Sequence, residues 1–183
     1  MLSMGRKHRN SSKKQHKPRF FFRAIKKHFT GTSYINISDY KFEIKQEVVE
    51  SLKSNSQHRG NELCGVLTGS QVGYNRYRIS KSSPPCVKKN RYNGCERDAA
   101  MANLFIEEDY IQSEHTRFYI GEWHTHPEST PTPSDVDYYS IRDNYRTASL
   151  VVPFLFMIIV GTQSFHISVY NGKDFAEVIP EIV

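Results

Sequence analysis

An α/β domain, rich in short strands with helices set between them, is the fold the sequence predicts. Three observations carry that expectation. Apolar or alternating runs recur at Lys41–Ile44, onward from Glu62, and at Arg76–Ser80, Phe118–His124, Phe154–Val160, Ser164–Tyr170 and Phe175–Ile179. Stretches of good helix formers separate several of them. With 183 residues, the chain suffices for one domain with a real core and not comfortably for two.

The elements follow in order. Met1 to His28 contains ten Lys or Arg and no acid, so the net charge of +6 is carried by this end. What remains has 15 basic against 19 acidic residues, a mildly acidic domain wearing a basic arm. Residues 1–30 are expected to be this flexible arm and 31–183 the folded domain. Met4 is an alternative start that changes little. Arg19–Phe29 mixes aromatics with cations; docking on the domain or a partner protein is favoured over nucleic acid or an anionic membrane surface. The arm is expected to be dispensable for chemistry.

Tyr34–Ser38 alternates apolar and polar residues and reads as a short strand, as does Lys41–Ile44. Gln46–Ser54 places Val48, Val49 and Leu52 at helical spacing. Lys81–Asp98 reads as a long polar loop with an Asn-Gly turn, of the length that is often functional. Asp98 is placed to cap a helix from Ala99 to about His115, and a third helix is expected over Asp135 to about Tyr145. Asn171-Gly172 reads as a hairpin turn between the last two strands. Val151–Val160 is too short to cross a bilayer and reads as a core strand. Three cysteines cannot all pair. Cys64 is expected as a small buried hydrophobe, Cys86 and Cys95 as loop residues, and the compartment as a reducing cytoplasm.

The chemistry concentrates in residues 121–137, GEWHTHPESTPTPSDVD. On a strand, His124 and His126 point to one face, because side chains alternate with period 2. Asp137 follows eleven residues after His126, across a stretch stiffened by three prolines. Two imidazoles and a carboxylate form a ligand set for zinc, which in catalytic sites keeps three protein ligands. An H-x-H pair alone is weak, more often surface or core histidines than a metal site. Ser134-x-x-Asp137 is also a helix start, with Ser134 as N-cap, and that reading is compatible with a ligand at Asp137. His115 and His166 read as structural, Glu128 and Asp135 as solvated. Glu122 shares the face of His124 and is a candidate for orienting an imidazole.

The motif lacks a general base. Upstream, Glu62 stands at the mouth of an apolar run, a costly place for an acid unless it is paired or used. With Glu62 included, the chain resembles the JAMM (JAB/MPN) metalloproteases, whose signature is an upstream Glu, H-S/T-H, seven residues, then S-x-x-D. Every position is present, as Glu62, His124, Thr125, His126, Ser134 and Asp137, and the likeness covers roughly Lys41 onward.

The resemblance implies an MPN fold: a mixed curved β-sheet flanked by helices, with cytidine-deaminase-like layering. It implies one catalytic Zn2+ on His124, His126 and Asp137, with Glu62 moving the proton of the attacking water and Ser134 donating to the oxyanion. The implied substrate is a protein with an extended C-terminal tail. Among such enzymes the chain is most similar to the stand-alone bacterial peptidases of CBASS antiphage operons, which remove a conjugated cGAS-like nucleotidyltransferase. Two alternatives stand beside this: a deconjugase for another ubiquitin-like or sulfur-carrier protein, and a metal-free MPN scaffold. The intact ligand set argues against the scaffold.

Overall fold

The computed structural model describes residues 34–183 apart from His58 and Asn93. The basic arm, its Arg19–Phe29 segment and the expected domain start at residue 31 lie outside the described residues.

Ten strands and three α-helices are described. The strands are β1 (Lys41–Ile44), β2 (Cys64–Gly73), β3 (Arg76–Ser82), β4 (Val87–Arg91), β5 (Gly94–Arg97), β6 (Phe118–Thr125), β7 (Leu155–Val160), β8 (Phe165–Tyr170), β9 (Phe175–Glu177) and β10 (Glu181–Ile182). The helices are α1 (Gln46–Ser54), α2 (Ala99–Gln112) and α3 (Asp135–Thr147). Eight strands form one mixed sheet in the order β10-β1-β3-β2-β6-β7-β8-β9, while β4 and β5 pair as a separate hairpin.

The sheet is covered on both faces, and β7 shows why. All six of its residues are buried. Phe156, Ile158 and Val160 join the large cluster that holds Val48, Val49 and Leu52 of α1. Leu155, Met157 and Ile159 face Ile141 of α3. A strand buried on both sides loses its polar alternation and becomes a continuous apolar run. α2 lies on the α3 side, where Ala102 packs with Val66 and Cys86. It starts where Asp98 accepts hydrogen bonds from the Ala100 and Met101 amides. It stops at Gln112, earlier than expected, because Glu114 and His115 turn into the left-handed region.

Four sequence expectations need correcting. Ile37–Asp39 is a 3-10 turn and Tyr34–Asn36 has no regular structure, so Tyr34–Ser38 is not a strand. Its alternation spans too few residues to overrule the local bond from Asn36 Nδ2 to Asp39 Oδ1. The 81–98 loop contains the β4–β5 hairpin, whose two mostly solvated faces give no period-2 signal. Cys64 is not a free buried thiol but forms a disulfide with Cys95. β5 runs close enough to β2 to bring their Cα atoms to 6.0 Å, inside the range a disulfide spans. Cys95 stands on β5 rather than in a loop, whereas Cys86 does lie in the loop before β4, buried against Ala102 of α2.

Candidate metal centre

β6 is the central support of the site. It pairs antiparallel with β2, setting Cys64 opposite His124, and parallel with β7, setting His124 opposite Ile159. Trp123 and Thr125 are buried on the α1 side. His124 therefore faces the opposite side, and His126, two residues on, shares it. The His126 amide donates to the Val160 carbonyl at 3.0 Å, extending the sheet's hold one residue past β6.

The proline-rich segment then leaves the sheet without being loose. The Thr162 amide donates to the Glu128 carbonyl at 2.8 Å, and the Gln163 and Ser164 amides donate to the Ser129 carbonyl at 3.2 and 3.1 Å. The turn between β7 and β8 thus straps residues 128 and 129. Gly161 permits this approach, since a Cβ there would sit 2.5 Å from Pro131 Cδ and 2.8 Å from the Glu128 carbonyl oxygen. The chain is delivered to Ser134, the N-cap of α3. There a capping box forms, with the Ser134 amide donating to Asp137 Oδ2 at 2.7 Å and the Asp137 amide donating to Ser134 Oγ at 3.3 Å.

The three expected ligands converge. His124 Nε2 and His126 Nε2 lie 3.2 Å apart. Asp137 Oδ1 is 3.1 Å from His124 Nε2, and Oδ2 is 3.6 Å from His126 Nε2. Two ligands about 2.1 Å from one zinc at the tetrahedral angle stand about 3.4 Å apart. The separations and the N/N/O donor chemistry fit that ion. Among the described residues, His124, His126 and Asp137 are the one set of three His, Cys, Asp or Glu side chains gathered closely enough to hold a metal.

The electrostatics divide the two acids. Burial pushes the Asp137 carboxyl up, but His124 and the Ser134 amide and hydroxyl more than reverse this and hold it well below the usual carboxylate range. Glu62 goes the other way. It is buried, with Oε1 4.0 Å from His126 Nε2. Burial raises its pKa to about 7, with the charge on His124 opposing and those on Asp137 and Glu128 adding. Burial and His124 also depress the pKa of His126, favouring the neutral imidazole that a metal requires.

The surroundings adjust several expectations. Glu62 lies two residues before β2, not within it. Glu128 is exposed, as expected, but is not without contacts: its Oε2 lies 3.8 Å from His126 Nδ1 and 3.3 Å from the Thr132 amide that donates to it. Glu122 is engaged by Arg97 and accepts from Tyr119 Oη at 2.8 Å, tying β5 to β6. His115 packs its ring at a tilt against Tyr110, and His166 sits in β8 opposite Ile159. The 81–98 segment, expected as a functional loop, is a neighbour of the site, and it is a hairpin that places it there. The Glu62 amide donates to the Arg91 carbonyl at 3.0 Å, and the Cys64–Cys95 disulfide fixes β5 to the strand that follows Glu62. The Asn-Gly pair was the one sequence signal for this hairpin.

Residues 45–172 match the family model described as prokaryotic homologs of the JAB domain. A "CD-NTase/cGAS isopeptidase" of Vibrio cholerae serotype O1 is 31% identical over 78% of this chain and 87% of its own length. A protein of the same name from Escherichia coli strain TW11681 is 29% identical over 82% of this chain and 95% of its own. In three dimensions the chain is similar to protein DSY2949 of Desulfitobacterium hafniense, with a TM-score of 0.54 and 19% identity, over 78% of this chain and 91% of that one. The match to the family model covers β2 through β8, the strapped loop and all five expected site residues, and the chain belongs to the JAB-domain family in its prokaryotic branch.

Proposed function

We propose that this JAB-domain isopeptidase works with one zinc, held by His124, His126 and Asp137, and that it releases a cGAS-like nucleotidyltransferase from the proteins to which its C-terminus is conjugated. The convergence of His124 Nε2, His126 Nε2 and Asp137 beside a buried Glu62 is the observation that carries the reading. The two isopeptidase relatives, aligned over most of their length, support the substrate.

A zinc ion held by His124, His126 and Asp137 would supply polarisation of the scissile carbonyl and acidification of the attacking water. Glu62 takes a proton from that water and returns one to the leaving lysine amine; a carboxylate raised toward neutrality suits both transfers. Ser134 donates its hydroxyl to the developing oxyanion. We place the protein in the cytoplasm with the nucleotidyltransferase conjugates it would cleave, on the ground of the substrate alone, because the paired Cys64 and Cys95 no longer speak for a reducing compartment. No described helix is long and apolar enough to cross a membrane.

The test is cleavage of a purified isopeptide conjugate, with metal analysis in parallel. The zinc-loaded protein should release an intact nucleotidyltransferase with a free C-terminus and leave a matched ubiquitin conjugate largely uncut. His126→Ala should lose zinc and cleavage together. Equal cutting of both conjugates would replace the substrate, and full zinc occupancy in His126→Ala would remove the ligand set.

A further inference from the structure

Thr125, between the two histidine ligands, has no place in the chemistry just described. It is buried, 1% exposed, and points away from them toward the α1 side. Yet its bonds lead back to the site. The Thr125 amide donates to the Leu63 carbonyl at 2.9 Å, as an antiparallel ladder continued past Cys64 and His124 requires. The second bond of such a pair would run from the Leu63 amide to the Thr125 carbonyl. Instead the Leu63 amide donates to Thr125 Oγ1 at 2.9 Å. A side-chain hydroxyl has taken a backbone position, and regular β2 begins only at Cys64.

The substitution matters because Leu63 follows Glu62. Leu63 packs against the main core, on the α1 side. Alternation sends Glu62 to the other side, toward His126 Nε2. Glu62 is outside the sheet, so the ladder does not fix it. It is held by the bond from its own amide to Arg91 and by the bond from the next amide to Thr125. The first comes from an exposed hairpin. The second comes from a rigid strand that also presents His124. One strand thereby sets both the histidine pair and the segment carrying the acid.

We infer that Thr125 is a positioning residue for Glu62: its hydroxyl, bonded to the Leu63 amide, registers the Glu62 segment against the histidine pair. This rests on the reading of Glu62 as the proton carrier. It makes the Thr125 methyl a packing group and the hydroxyl the functional one, so Ser should replace Thr and the isosteric Val should not.

The experiment compares Thr125→Val and Thr125→Ser with the wild type, all zinc-loaded. In the Val variant kcat on the isopeptide conjugate should fall about 10²-fold, the cost of a misplaced catalytic group. KM should stay within about twofold, and zinc should remain at one per chain. The Ser variant should keep kcat within a few-fold. Exchange of the Leu63 amide, followed by NMR, should be at least about tenfold faster in the Val variant than in the other two. Should Val prevent folding, Thr125→Ala is compared with Thr125→Ser by the same measurements. Equal kcat in the Val and Ser variants, or unaltered Leu63 exchange in Val, overturns the inference. A wild type that cleaves no conjugate defeats the proposed function, while the Leu63 exchange still judges the tether.

Discussion

Ser134 and Asp137 grip each other from both directions: the serine amide and hydroxyl donate to Asp137 Oδ2, at 2.7 and 2.8 Å, while the Asp137 amide donates back to the serine oxygen. The carboxylate keeps Oδ1 for the histidine side of the site. A helix start and the proposed metal ligand are therefore one construction. The serine hydroxyl has one proton, which in this arrangement points at Asp137, so donation to an oxyanion requires it to turn.

Ser134→Ala separates these duties. Loss of the cap should cost about 1 kcal/mol of stability, read from urea unfolding. Loss of the oxyanion donor should lower kcat about 10²-fold or more. Ser134→Gly, which serves as an N-cap at a cost of only a few tenths of a kcal/mol but has no hydroxyl, should recover most of the stability and not turnover. A Ser134→Ala enzyme with normal kcat would leave Ser134 as a cap alone.

Glu62 predicts a pH dependence of stability in the metal-free protein. Its folded pKa, about 7, lies above the ordinary 4.5, so the folded state holds this proton more tightly than the unfolded one. The stabilisation is complete below about pH 4.5 and is lost as pH rises through 7. Metal-free Glu62→Gln, which stays neutral, should therefore be about 1–2 kcal/mol more stable than the wild type at pH 8, with the gap closing toward pH 4.5. The same variant should bind zinc and lose most turnover. Parallel stability curves across this range would show that Glu62 is not buried as described.

The β4–β5 hairpin is proposed to order a bound C-terminal tail, as an added strand. It shares a hydrogen bond with Glu62, and Lys88, Lys89 and Arg91 are exposed upon it. Replacing these three with Ala should raise KM for the protein conjugate several-fold and barely affect a short tail peptide. An uncleaved conjugate should slow amide exchange across the hairpin. Unchanged KM and exchange would leave it a plain surface feature.

Reduction of Cys64–Cys95 should weaken the fold measurably. The bridge closes a loop with a sequence separation of 31, for which chain entropy gives about 3–4 kcal/mol. Thermal unfolding with and without a dithiol reductant should differ by roughly 10 °C. Cys95→Ser should match the reduced protein and ignore the reductant. Identical melting would mean that the bridge contributes nothing.

The legible parts of the sequence share a cause. Gln46–Ser54 and the 118–125 region announced themselves because one face of each is buried and the pattern records it. The convergence of His124, His126 and Asp137 was legible because period 2 fixes His124 against His126 and the capping box fixes Asp137. The Cys64–Cys95 pair was not, since its closeness depends on how a hairpin with little buried surface is laid against β2. β10 escaped notice because two exposed residues carry no pattern; only pairing with Glu43 and Ile44 makes them a strand. The bond from Leu63 to Thr125 was equally silent, because a threonine in a strand looks the same whichever way its hydroxyl is used.

The strap between the β7–β8 turn and the proline-rich loop changes how this molecule tolerates variation. Short surface turns between strands ordinarily absorb insertions and substitutions freely. Here residues 162–164 hold Glu128 and Ser129, and Gly161 has Pro131 against it. A lengthened turn would release the loop that returns Asp137 to the histidines, and a methyl at Gly161 would push on that loop directly. Natural variants and engineered tags that would be harmless in most hairpins should here appear as lost metal affinity, with the sheet itself intact.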